Sequence, residues 1–333
     1  MAKLADVSPA LVSYVVNGGP RAVSPQARKR IEDAIELLDY HPNPIARALQ
    51  SGSTKMIGLI TPSPTNLYFA ELAQLIEEEV SASSNLLVMG ITNEDPSREL
   101  RYVKAFASRH LDGLLIVSSR AADLVEEASK ELPIVTLDRT SRLSGASSVF
   151  IDNKNGAEIA VRHLQEHGIG TIACIGGPKG LLLSEERISG WKTQQETANL
   201  EATPALISRG TFTPLGGYRA FRDLVSTPEF KEKLSNSKGP IGLFISSDAQ
   251  AIGVLRACHE LKLRIPEDIS FTSFDGAGNR FNQVPEFTSL RQPLKKLAKT
   301  SIEELFRLIA EPKQSPREIL LEGSLRIGET CGC

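Results

Sequence analysis

The sequence predicts an α/β protein, with a small all-α head followed by two doubly wound parallel-sheet lobes. Three observations carry this expectation. The first fifty of the 333 residues hold short helical patterns separated by Gly and Pro. From Met56 onward, short apolar runs alternate with segments of helical period, the mark of parallel strands covered by helices on both faces. That alternation comes in two successive series, the second starting near Val149-Phe150-Ile151, which implies two sheets.

In the head, Ser8 suits an N-cap and Pro9 a first helical turn. The helix Pro9 to Asn17 gathers Leu11, Val12, Val15 and Val16 on one side, leaving Pro9, Ala10, Ser13 and Tyr14 to face outward. Asn17-Gly18-Gly19 ends it. A second helix from Ser24-Pro25 to Asp39 buries Ala27, Ile31, Ala34, Ile35 and Leu38.

The first lobe reads as strands Met56–Ile60, Leu86–Ile91, Leu114–Val117 and Ile134–Leu137, with helices Phe69–Val80, Glu99–Arg109 and Ala121–Glu131 between them. The second adds strands Thr171–Ile175, Ala205–Ser208, Ile241–Ile245 and Ile269–Phe274. Its helices are Asn155–His167, Glu185–Asn199, Gly216–Leu224 and Ala249–Leu261. Ser289–Pro293 and the helix Lys295–Ala310 are expected to return to the first lobe. The expected divisions are a head over 1–42, a hinge and linker over 43–55, a first lobe over 56–150 plus 291–318, and a second over 151–290 plus 319–333.

Composition excludes several classes. Hydrophobic residues make up 41% and the net charge is −2, so the chain is no polycation. Residues 1–55 carry seven basic side chains against five acidic, an imbalance that permits DNA binding but does not establish it. No apolar run nears the roughly 18 residues of a membrane span, and Met1–Asp6 has no hydrophobic signal region. A cytoplasmic protein without a membrane partner is expected. Cys174, in an apolar strand, reads as a core thiol, and Cys331-Gly332-Cys333 as a frayed end rather than a redox or metal pair. His163 and His167 stand at i and i+4 and could ligate a metal, but the zincin pattern is absent and a solvated helix face is favoured. Neither a Gly-x-Ser-x-Gly elbow nor a Walker loop occurs, and Gly176–Gly180 lacks the spacing for one. No enzyme, cofactor or metal is expected.

Two open α/β lobes turn the carboxyl ends of their strands toward a shared crevice. Asp138, Asp248 and Asp275 each follow a strand, and Arg187 opens the helix after Gly176-Gly177-Pro178. An Arg–Asp pair suits a hydroxyl-rich ligand, since Arg donates a fork and Asp accepts from two hydroxyls. Asp248 reads as structural, capping its helix.

The head's motif is Val7-Ser8-x-x-x-Val12-Ser13-x-Val15-Val16-Asn17-Gly18, with Tyr40-x-Pro42-Asn43-x-x-Ala46-Arg47-x-Leu49 downstream. It resembles the helix-turn-helix of the LacI family of transcriptional regulators. Later segments extend the resemblance along the chain, among them Asp152-Asn153-x-x-Gly156, Glu186-Arg187-x-x-Gly190-Trp191, Ser247-Asp248-x-x-Ala251-Ile252-Gly253 and Arg291-Gln292-Pro293. The resemblance implies lobes like those of periplasmic binding proteins and a ligand-responsive regulator, in the main a repressor. It implies a recognition helix Pro9–Asn17 in the major groove of a palindromic operator, with contacts from Ser8, Pro9, Ala10, Ser13, Tyr14 and Asn17. Many members carry Arg in place of Tyr14, so base preference should differ there. Asn43–Ser51 matches a hinge helix, with Asn43, Ala46 and Arg47 at the DNA and Leu49 as a minor-groove wedge.

By the same resemblance Arg187, Asp275, Asp138 and Ser247 fall at effector-contacting positions, and Tyr68, Phe69 and Phe212 at the walls. A sugar or sugar phosphate is the leading effector class and a nucleobase the second. No leucine heptad follows the last strand, which favours a homodimer. Only Met1–Ala5 stands where the family has most of a further helix, so the expectation is that Met1 is an internal start or that the chain is truncated there. The competing reading is a cytoplasmic sugar-binding or enzyme-like α/β protein with a non-functional head.

Overall fold

The computed structural model describes residues 1–17, 22–40, 44–117, 128, 132–137, 146–278 and 283–333. The helix expected over 121–131 lies outside them apart from Ala128. The chain divides into two compact units, Met1–Thr54 and Lys55–Cys333.

The first unit contains α1 (Pro9–Asn17), α2 (Pro25–Leu37) and α3 (Pro44–Ser51). Ser8 Oγ accepts from Leu11 N and Ser24 Oγ from Ala27 N, each at 3.3 Å. Such caps satisfy otherwise orphaned donors and contribute about 1 kcal/mol apiece. Ala5, Ile31 and Ala34 form the buried centre, flanked by Met1, Val7, Leu11, Val12, Val15 and Ile35. Residues before α1 take turns, with Leu4 N and Ala5 N donating to Met1 O. Leu38, expected in this core, is instead 50% exposed, because it is the C-cap of α2 and lies beyond its buried stripe.

The second unit holds two six-stranded sheets. The first comprises β1 (Met56–Thr61), β2 (Leu86–Ile91), β3 (Gly113–Ile116), β4 (Ile134–Leu137), β5 (Ser147–Ile151) and β11 (Glu318–Leu321). Its order is β11-β5-β4-β3-β1-β2 and every pairing is parallel. Helix α4 (Leu67–Ala82) and α11 (Leu294–Ala310) pack their apolar stripes on it through Leu72, Ile76, Leu297 and Leu305. Helix α5 (Pro96–Ser108) packs through Val103 and Phe106.

The second sheet comprises β6 (Ile172–Gly176), β7 (Ile207–Arg209), β8 (Ile241–Ile245), β9 (Ile269–Asp275), β10 (Ser289–Arg291) and β12 (Ser324–Arg326). The order is β12-β10-β9-β8-β6-β7, and β12 alone runs antiparallel. Its helices are α6 (Asn153–Glu166), α7 (Leu182–Thr197), α8 (Pro214–Ser226), α9 (Pro228–Asn236) and α10 (Asp248–Leu261). Helices α8 and α10 approach so closely that a Cβ at Gly253 would overlap the Pro214 carbonyl. Trp191 is fully buried and donates to Ile172 O at 3.2 Å, so its indole N–H is not left orphaned in the core.

Three segments carry the chain between the sheets: β5 to α6, β10 to α11, and β11 to β12. Three boundaries therefore move from the sequence expectation. Val149–Ile151, expected to open the second series, ends β5 in the first sheet, so the first crossing falls after Ile151. Ser289–Arg291 belongs to the second sheet, so only the chain beyond Arg291 returns to the first. Strand β11 stays in the first sheet through Leu321, and the last crossing falls after it rather than after residue 318. Strands β10 and β11 are three and four residues long, too short to show a period. Helix α9 has no comparable sequence signal: its apolar anchor is a single buried residue, Phe230.

Candidate functional site

The floor of the crevice is a polar chain built from strand ends and crossing segments. Arg187, on α7, donates from Nε to Asn153 Oδ1 at 2.9 Å and from Nη1 to Ser246 O at 2.6 Å. Nη1 also lies 3.4 Å from Asp275 Oδ1. The guanidinium sits 3.7 Å from the centroid of the Phe274 ring, a cation–π contact made stronger by burial. Nη2 has no hydrogen-bond partner among the described residues. Asp275 ends β9 with φ at 111°, a setting rare outside glycine that is often retained where a side chain must be aimed.

Gln292 extends the chain into the first lobe. Its amide donates to Asp275 Oδ1 at 3.0 Å and accepts from the Tyr68 hydroxyl at 3.2 Å. A second bridge joins the lobes, from Gly278 N to Glu71 Oε2 at 2.6 Å. Tyr68 and Phe69 meet edge to face with centroids 5.2 Å apart.

Above this floor lies a cavity of about 290 Å³, lined by Asn66, Tyr68, Phe69, Phe212, Asp248 and Asp275 among others. A small adjoining recess reaches Arg187 and Ser247. Phe212 is half-buried, and its ring lies so close to Gly177 that a Cβ there would overlap it. That close approach, rather than phosphate binding, accounts for glycine at this position of the Gly176-Gly177-Pro178 turn.

The structure thus brings Tyr68, Phe69, Arg187, Phe212, Ser247 and Asp275 around one crevice. Asp138 lies outside the described residues. Ser247 is the N-cap of α10, its Oγ accepting from Gln250 N at 3.2 Å. Asp248, expected to cap that helix, instead accepts from Ser273 Oγ at 2.6 Å, Ser289 Oγ at 2.7 Å and Ala277 N at 3.2 Å. Burial pushes its carboxyl up, against the pull of the two serine hydroxyls. Asn153 and Gln292 are site residues that the sequence alone does not assign. Their segments stand out as family-like, but their role depends on two crossings being adjacent in space.

In the head, Ser8, Pro9, Ala10 and Ser13 are exposed and Tyr14 is half-buried. Arg47 is exposed on α3 and Leu49 is 82% exposed. Asn43 lies outside the described residues, as do the side chains of Asn17 and Ala46. Residues 331–333, expected to fray, are held: Cys331 is buried, and Ser270 Oγ donates to its carbonyl at 2.8 Å. Among the described residues no helix is long and apolar enough to cross a membrane.

Comparison with known proteins yields concordant matches. Residues 1–43 match the family described as bacterial regulatory proteins, lacI family, and residues 161–331 match a periplasmic binding protein-like domain. The chain is 30% identical over 323 residues to the HTH-type transcriptional repressor PurR of Escherichia coli O139:H28, covering 96% of this chain and 92% of that protein. Among solved structures, a transcriptional regulator CelR–cellobiose complex superposes with a TM-score of 0.73 at 26% identity, over 99% of this chain and 98% of that one. A lac repressor dimer bound to operator and an anti-inducer shares the fold, with a TM-score of 0.83 at 24% identity, over 99% and 97% of the two chains.

Proposed function

The chain belongs to the lacI family of bacterial regulatory proteins, and on that premise we propose how this ligand-responsive transcriptional regulator works. Two copies pair and read a palindromic operator through their heads, while a sugar-like effector occupies the crevice of each second unit. The protein binds and does not turn its ligand over, and it works where the DNA is, in the cytoplasm.

The buried Arg187–Asp275 pair carries the effector reading. Arg187 Nη2, without a partner among the described residues, and the Asp275 carboxylate present N–H donors and an acceptor at the cavity floor. Vicinal hydroxyls satisfy both at once, with the ring's apolar face against Phe212. The solved CelR complex with cellobiose supports the same ligand class. Ser247, already committed to capping α10, shapes the recess more than it holds the ligand. Asp138 is proposed as a further contact from the end of β4.

Closure around the ligand acts on the Tyr68–Gln292 and Glu71–Gly278 links between lobes. A shift in lobe angle changes the spacing of two heads in a dimer, and a coupling of about 1–3 kcal/mol suffices for a useful switch. On the DNA, Ser8, Pro9, Ala10, Ser13, Tyr14 and Asn17 face the major groove. Asn43, Ala46 and Arg47 line the hinge, and the solvent-exposed Leu49 supplies the wedge. An eight-residue α3 is marginal alone and gains its stability on the duplex.

The test is operator selection from genomic fragments by gel shift, repeated with mono- and disaccharides, sugar phosphates and nucleobases. Retention of a palindrome that a sugar alters is the expected result. Alteration by a nucleobase alone would replace the sugar, and no retained DNA under any condition would overturn the regulator mechanism.

A further inference from the structure

Two motifs far apart in the sequence meet at one point on the second lobe. His163 lies in the last turn of α6 and His167 is its C-cap, so the i, i+4 spacing stacks both rings on one helix face. Residues 331–333 run beside them. His163 Nε2 and His167 Nε2 are 3.3 Å apart. Cys333 Sγ lies 3.4 Å from the first and 3.2 Å from the second. Cys331 Sγ is 3.1 Å from Cys333 Sγ, and all four atoms fall within 4.8 Å of one another.

We propose that His163, His167, Cys331 and Cys333 form a structural site for a thiophilic divalent cation, Zn²⁺ foremost. A tetrahedral Zn²⁺ with two thiolates and two imidazoles requires ligand atoms about 3.3 Å apart between nitrogens and about 3.8 Å between sulfurs. The imidazole pair already has that spacing, while the sulfurs must spread and Cys331 Sγ must draw in toward the rings from within 4.8 Å. The donor set selects for zinc over hard cations, since it contains no oxygen ligand. Four protein ligands close the coordination sphere, which is the pattern of a structural rather than a catalytic ion.

Charge balances as well. Each thiol releases its proton to solvent on ligation, and the two imidazoles bind through the Nε2 lone pair with the proton on Nδ1. Two thiolates then neutralise Zn²⁺, as a partly buried site requires. A supporting contact is in place, because the Thr288 hydroxyl donates to Cys331 Sγ at 3.0 Å, orienting the sulfur as outer-shell groups do. The backbone around it is anchored, with Phe271 N donating to Thr330 O at 2.7 Å.

The ion would clasp the segment beyond β12 to the carboxyl end of α6. That helix begins at Asn153, which holds Arg187 Nε. The clasp therefore stiffens the element that anchors the crevice floor at its other end. Without metal, the same groups make only weak thiol–imidazole contacts.

The experiment uses the full chain without an affinity tag, reduced, stripped with a chelator and then titrated with Zn²⁺ or Co²⁺. About one equivalent per chain should bind. The Co²⁺ form should show the intense visible bands of tetrahedral coordination with a thiolate charge-transfer band. Zn²⁺ should raise the melting temperature by several degrees. His167→Ala and Cys333→Ser, both at exposed positions, should each abolish the spectrum and the shift. The parent's spectrum decides the matter even if both variants fold poorly. Absence of stoichiometric uptake, an octahedral Co²⁺ spectrum, a Cys331–Cys333 disulfide that persists under reduction, or undiminished uptake by folded variants would each overturn the proposal.

Discussion

Arg187 Nη1 and Asp275 Oδ1 stand 3.4 Å apart with side chains only 3% and 8% exposed. A charge pair so buried is costly to desolvate, and losing one partner costs about 3–5 kcal/mol because the other charge stays behind. Arg187→Met should therefore lower stability by that order, read by denaturation with the lone tryptophan, Trp191, as the probe. The folded variant should lose its response to effector. Arg187→Met/Asp275→Asn should recover part of the stability and none of the response. An unchanged response in Arg187→Met would remove the crevice floor from the mechanism.

Leu49 is 82% exposed, so its side chain contributes little to the free protein. Leu49→Ala should leave the melting temperature within about a degree. Operator affinity should fall about tenfold or more, equivalent to about 1.4 kcal/mol. Fluorescence anisotropy on a matched palindrome measures it. Equal affinity of variant and parent would exclude a wedge.

Gly177→Ala places a methyl group into the Phe212 ring. Overpacking of this kind costs about 1–3 kcal/mol, and here it also displaces a wall of the cavity. Adding Phe212→Leu should restore stability without restoring ligand affinity. Calorimetric titration beside thermal melts separates the two effects. Parent-like affinity in the double variant would mean that Phe212 does not face the ligand.

The turn into β9 holds an ion pair with a pH signature. The Arg264 guanidinium, together with the Arg264 backbone N–H, holds the Asp268 carboxyl down at about 2, against a small opposing effect of burial. The folded value lies below the ordinary 3.8, so the pair's contribution to stability is present above about pH 4 and is lost as pH falls toward about 2. Arg264→Ala should move the Asp268 titration, followed by carboxyl ¹³C NMR, up toward the ordinary value and flatten the acid limb of the stability profile. A midpoint unaffected by the substitution would assign the depression to another group.

Local periodicity suffices for much of this protein. Strands β2, β4 and β8 fall on the residues expected because each is a short, largely apolar run. The head's helices follow from Ser8-Pro9 and Ser24-Pro25, whose caps act within one turn. Asp275 is legible as a site residue because it stands at the end of a strand that an open α/β sheet aims at its crevice, and Arg187 because the family-like segment Glu186–Trp191 carries it. The hidden features depend on contacts between segments far apart in the chain. Gln292 reaches Tyr68 across 224 positions, and Asn153 meets Arg187 only because α6 packs against α7. His163 and His167 read as a solvated face, and Cys331 and Cys333 as a loose end. Each pair has a bland meaning alone, and only the path of the chain past β12 sets four soft ligands around one point.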